Sequence, residues 1–101
     1  MAINLKAITS CIGYEQLTSL ATSTGLNPPL VDANGLSCKP NFALITAESQ
    51  AVRWRDDGLP PTVSVGMPLA AGVTLQYDGD LSRIRFIQQS ASAKLNISYY
   101  V

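Results

Sequence analysis

The sequence predicts an all-β fold, an antiparallel β-sandwich or jelly-roll-like barrel of seven or eight short strands. Three observations carry that expectation. Apolar residues alternate with polar ones at period two from the middle of the chain onward, the alternating runs are short, and Gly, Pro or Asp stands between them. Closely spaced short strands separated by turn signals are the pattern of sandwiches and jelly rolls.

Taken in order, Ile3 to Ile8 reads as a strand or as part of an N-terminal arm within residues 1–12. Tyr14 to Gly25, rich in Thr and Ser, reads as one bent strand or two short ones. Leu17, Leu20 and Ala21 also fit helical spacing over Glu15 to Ala21, and strands are the favoured assignment. Residues 26–40 contain three Pro, an Asn34-Gly35 pair and little alternation, the marks of a long loop joining two strands. Phe42 to Ala47, FALITA, is apolar on both faces except at Thr46, and is expected to be a central strand covered on both sides and the most buried one.

The later strands alternate clearly. Val52 and Trp54 share one face against Arg53 and Arg55. Val63 and Val65 alternate with Ser64 and Gly66, and Val73, Leu75 and Tyr77 with Thr74 and Gln76. Ile84 and Phe86 oppose Arg83 and Arg85, and Leu95, Ile97, Tyr99 and Val101 oppose Asn96, Ser98 and Tyr100. Asp56-Asp57-Gly58, Pro60-Pro61, Ala71-Gly72 and Asp78-Gly79-Asp80 punctuate these runs. Pro lacks an amide donor for a ladder, Gly accepts positive φ, and Asp bonds nearby backbone amides.

At 101 residues the chain has room for one β domain, and 47% hydrophobic against 14% charged residues is a composition that folds. Seven basic and seven acidic residues cancel, so no excess positive charge exists to release counterions from nucleic acid. No apolar run reaches the roughly 20 residues a membrane helix needs, and no basic segment leads into a hydrophobic stretch at the start. No nucleic acid and no membrane are therefore expected as partners. Low charge density with abundant apolar residues favours surfaces covered by neighbouring subunits, hence a homo-oligomer.

The chain has no His. Ser-His-Asp and Cys-His arrangements are therefore ruled out, and no catalytic residue is assigned. The only local acidic clusters, Asp56 with Asp57 and Asp78 with Asp80, sit in turn sequence where Asp serves backbone hydrogen bonds. Two carboxylates fall short of the oxygen donors calcium requires, and Cys11 and Cys38 lack metal-ligand spacing. No metal and no cofactor are expected, and the two thiols are expected to be separate and buried, with a disulfide between them as the alternative.

The candidate partner-interface residues are Arg53, Arg55, Arg83, Arg85 and Tyr100. Each arginine pair has i, i+2 spacing and projects from one strand face. Such residues either form ion pairs with Asp56, Asp57, Asp78 or Asp80 on a solvated face, or meet carboxylates of an adjoining subunit. Trp54 is expected to pack inward with Val52. Of Tyr99 and Tyr100, one should enter the core and leave the other for a neighbour.

From Phe42 onward the chain carries an apolar strand leading to V-R-W-R-D-D-G, then T-x-x-V-G-M-x-L, G-x-x-L-x-Y-x-G-D-L, I-R-F-I and L-N-I-S-Y-Y. This string, and more loosely Tyr14-Glu15-Gln16-Leu17-Thr18, resembles small virion-associated proteins of tailed bacteriophages. The chain departs from that pattern around Leu26 to Cys38, where such proteins pass more directly between strands. The resemblance implies a β-sandwich that is a head decoration or cement protein bound over the major capsid protein or other virion proteins. It implies a virion location after assembly in the host cytoplasm, and no enzymatic activity. A tail or collar accessory protein is the alternative within that class. A carbohydrate-binding adhesion module is the alternative outside it, and its mark would be an exposed aromatic platform beside hydrogen-bonding Asn, Asp or Arg.

Overall fold

The computed structural model describes residues 10–31 and 34–101. Within them eight strands follow one another: β1 (Cys11–Leu17), β2 (Thr24–Gly25), β3 (Phe42–Glu48), β4 (Val52–Arg55), β5 (Met67–Leu69), β6 (Thr74–Tyr77), β7 (Arg85–Gln88) and β8 (Lys94–Tyr100). They form two four-stranded sheets, ordered β1-β8-β3-β6 and β2-β7-β4-β5, with every pairing antiparallel. That order is the jelly-roll arrangement, in which every connection except β4–β5 crosses between the two sheets. No helix occurs among the described residues, so none can cross a membrane.

The alternation read from the sequence decides which side chains meet between the sheets. Ala43, Ile45 and Ala47 from β3 and Leu95, Ile97 and Tyr99 from β8 turn inward, against Val52, Leu69 and Phe86 of the second sheet. Leu20, Leu81 and Ile84 close the core from the connections. Fully burying a side chain such as Phe86 or Ile97 contributes roughly 1.5–3 kcal/mol relative to exposure. Trp54 packs against this core beside Val52, with its ring edge-on to Tyr77 at a centroid distance of 6.0 Å. Tyr99 is buried, as one of the terminal tyrosine pair was expected to be.

Several expectations need correction. Phe42 to Ala47 is central in its sheet, yet only its odd-numbered residues are covered. Phe42, Leu44 and Thr46 are half-buried on the outer face, and β8 is buried to the same pattern as β3. A two-layer sandwich covers one face of each sheet. The outer apolar groups are shielded sideways instead, as when the Phe42 ring meets Tyr100 with centroids 5.9 Å apart.

Val63 to Gly66 is a bend, not a strand, and pairing resumes only at Met67. The Thr62 hydroxyl accepts from the amides of Ser64 and Val65, and Val65 N also donates to Thr62 O, so the segment folds on itself. Pro68 lies in β5, an edge strand, where a missing donor is tolerated.

At Asp78-Gly79-Asp80 the expected backbone bond is present, with Asp80 Oδ1 accepting from the Ser82 amide at 2.9 Å, but the reason for the glycine differs. Gly79 does not take positive φ; a Cβ there would run into the Tyr77 ring. Neither cysteine is buried: Cys11 is exposed, Cys38 is half-buried, and both are free. Cys11 and Ile12 belong to β1, so only residues 1–9 of the proposed arm fall outside the described residues, including Ile3 to Ile8. Among the described residues of the 26–40 loop, the one ladder contact is an isolated bridge between Val31 and Ser37.

Candidate functional site

Arg53 and Arg55 leave β4 on the face opposite Val52 and Trp54, and the register places Arg55 beside Arg85 of β7. Arg83 lies in the turn before β7, where a Cβ on Gly58 would strike its guanidinium. Sequence spacing gave two pairs on two strands. The fold brings all four arginines to the outer side of one sheet, around the connection from β4 to β5.

Three of them are committed to the chain itself. Arg53 donates from Nη1 to Gly66 O at 2.8 Å and from Nε to Val63 O at 3.2 Å. With its oxygen turned toward the guanidinium, the Gln89 amide also accepts from Arg53 Nε at 2.8 Å. Arg55 grips Asp57 with two parallel bonds, Nε to Oδ1 at 3.1 Å and Nη2 to Oδ2 at 2.5 Å. Arg85 reaches Ser23, donating to its hydroxyl and to its carbonyl oxygen, both at 2.7 Å.

The acidic turn residues are occupied in the same way. Asp57 is held below the usual carboxylate range first by the Arg55 hydrogen bond, with help from the Leu59 amide. Asp80 is lowered by the Ser82 hydroxyl and then the Ser82 amide. Asp56 accepts from the Tyr77 hydroxyl at 2.7 Å; burial and that carboxylate together push the Tyr77 phenol well above its ordinary value. No group of three or more His, Cys, Asp or Glu able to hold a metal ion occurs among the described residues.

These bonds fix the shape of the β4–β5 connection, residues 56–66. On that connection and the strand it enters, Leu59, Val63, Val65 and Met67 are each between 51 and 57% exposed. Sequence reasoning missed them as surface residues because the Val63 and Val65 alternation imitates a strand. The signal that could have found them is Pro60-Pro61 followed by Thr62, which starts a folded turn and leaves no ladder to bury the valines.

Tyr100 is brought elsewhere. It projects from β8 on the outer face of the other sheet, beside Phe42 and in the same sheet as Tyr14. A polar chain crosses that face. Asn96 Oδ1 accepts from Gln16 Nε2 at 3.0 Å and from the Tyr14 hydroxyl, and Asn96 Nδ2 donates to Glu48 Oε1 at 2.8 Å. A cleft of about 400 Å³ opens beside the 78–82 turn, lined by Pro28, Leu30, Lys39 and Asn41 and by Asp78, Asp80 and Leu81.

Compared with models of known families, with curated proteins and with solved structures, the chain has no match.

Proposed function

We propose that this chain is a structural virion protein of a tailed bacteriophage, a head decoration or cement protein that binds the major capsid protein and stabilises the shell. The observation that carries the reading is the β4–β5 connection. Arg53, Arg55 and Thr62 hold it in one shape while it presents Leu59, Val63, Val65 and Met67 to solvent. An apolar surface that is already ordered loses little conformational entropy on docking, so more of its burial appears as affinity. The string of motifs from V-R-W-R-D-D-G to L-N-I-S-Y-Y supports the same class, and the jelly roll is an architecture found among capsid proteins, which is support by analogy of fold.

The mechanism is adhesive. Added interface area at a junction between capsomers raises the cost of separating them, with apolar residues at the centre of the contact and Arg55, Arg83 and Arg85 at its rim. Copies of the chain around one junction form the homo-oligomer.

Electron cryomicroscopy of particles carrying the protein tests this. Density over the capsid shell is expected, with the β4–β5 connection facing the major capsid protein. Val63→Asp with Val65→Asp should abolish that density while the isolated domain stays folded. Density confined to the collar or tail overturns the head assignment.

A further inference from the structure

We propose that the outer face of the β1-β8-β3-β6 sheet is a binding platform for neutral glycans, a surface separate from the β4–β5 connection and independent of the reading above. The register lays its side chains out in rows. Gln16, Asn96, Thr46 and Thr74 form one row across all four strands, Tyr14, Ser98, Leu44 and Gln76 the next, and Tyr100 with Phe42 stands beyond it. The first row is a continuous line of amides and hydroxyls. The other two supply three aromatic rings, and Tyr14 is 61% exposed.

Sugars ask for both kinds of group at once. A pyranose offers hydroxyls that donate and accept on its edges and polarised C–H groups on its faces, which are attracted to the negative face of an aromatic ring. The polar row is fixed in place before any ligand arrives. Asn96 is held by Gln16, Tyr14 and Glu48, and the Thr46 and Thr74 hydroxyls lie 2.8 Å apart. Capacity remains: Asn96 has a second N–H, and Gln16 a second N–H and its carbonyl oxygen. Aligned donors and acceptors of this kind bind without the cost of ordering them.

Charge selects among ligands. Among the described residues the charged side chains on this face are Lys94 and Glu48, one opposite the other across the β8–β3 ladder, and they sum to zero. The arginines lie on the other sheet. An anionic polysaccharide or nucleic acid finds no cationic track here, whereas an uncharged sugar chain needs none. A protein partner is served worse than a glycan. Of the exposed large apolar residues among those described, only Tyr14 projects from the strands of this face, while Leu59, Val63, Val65 and Met67 lie elsewhere.

The purified domain is applied to a printed array of neutral and anionic glycans, and the strongest neutral binder is then measured by isothermal titration calorimetry. Binding to neutral glycans is expected, weakened about tenfold by Tyr14→Ala and by Asn96→Ala, with an unchanged melting temperature for Tyr14→Ala, whose ring is exposed. Tyr100→Phe, which keeps the ring, should bind nearly as the parent does, and Tyr100→Ala should not. An array with no neutral glycan bound, binding confined to anionic glycans, or affinity indifferent to Tyr14→Ala and Tyr100→Ala overturns the proposal. None of these results bears on capsid attachment, which is read from the Val63 and Val65 variants.

Discussion

Arg55 and Arg85 stand directly opposite each other across the β4–β7 ladder. Like charges in that position repel, and the fold offsets this by giving each guanidinium its own acceptor, Asp57 for one and Ser23 for the other. The acidic turn that follows the strand is thus a counter-charge placed where the sheet needs it. Asp57→Asn removes that counter-charge. The variant should melt at a lower temperature than the parent in low salt, and the gap should narrow as salt screens the two arginines. A gap indifferent to ionic strength would show that repulsion is not what Asp57 relieves.

Arg53 has the more structural role. Arg53→Ala leaves Gly66 O and Val63 O without their guanidinium donor and should cost about 1–3 kcal/mol in denaturant unfolding. The amide of Val65 should exchange faster with deuterium even where global stability is restored by a ligand or lower temperature. A variant with parental exchange at Val65 would mean that Thr62 alone holds the bend.

Glu15 sits on the inward-facing side of β1, opposite Ile97, and gathers three donors: the Tyr99 hydroxyl, Asn27 N at 2.9 Å and Asn27 Nδ2 at 3.2 Å. Glu15→Ala strands a buried phenol and frees the start of the 26–40 loop. The expected loss is about 1–3 kcal/mol by chemical denaturation. Tyr99→Phe should recover part of that loss when combined with it, because the orphaned hydroxyl is then gone.

Stability should fall at both ends of the pH range, for opposite reasons. Asp57 and Asp80 are held below their ordinary value of 3.8, so what they contribute is present above that pH and is lost as pH falls through their folded values. The Tyr77 and Tyr99 phenols are raised above 10.0, by burial first and by Asp56 and Glu15 next. Their contribution is complete below pH 10 and is lost as pH rises beyond it. Melting temperature against pH should be flat between these limits. Ultraviolet titration should show these two phenols ionising only together with unfolding.

Gly79→Ala forces the Tyr77 ring aside. The displaced phenol leaves Asp56, and the Trp54 ring loses its edge-on neighbour. A loss of about 1–3 kcal/mol is expected, together with a changed near-ultraviolet circular dichroism signal from Trp54. A stable variant with the parental aromatic spectrum would show that the turn has room for a methyl group.

The sheet class and the inward residues were legible because period-two alternation is enforced by burial on one side, as at Val52 and Trp54 or Leu95, Ile97 and Tyr99. Where burial is absent the same alternation misleads: Val63 and Val65 alternate without a strand. FALITA misled in a related way, since a run of apolar residues does not reveal whether a third layer exists to cover its second face. The arginines were found as residues but not as a cluster, because Arg55 and Arg85 come together only through a strand pairing between distant segments. The polar row from Gln16 to Thr74 draws on all four strands of its sheet and has no local signature.

β8 lies inside its sheet, between β1 and β3, and no two neighbours in that sheet are consecutive in the chain. A polypeptide emerging from the ribosome can pair β2-β7-β4-β5 and β3 with β6, but β1 has no partner until residues 94–100 are available. Completion of the first sheet has to wait for β8 to be inserted between β1 and β3, which have no other hydrogen-bonded bridge to each other. Folding is consequently a late, long-range event, slow by the standards of locally connected domains. A fragment stopping at Gln88 is expected to remain open and prone to aggregate.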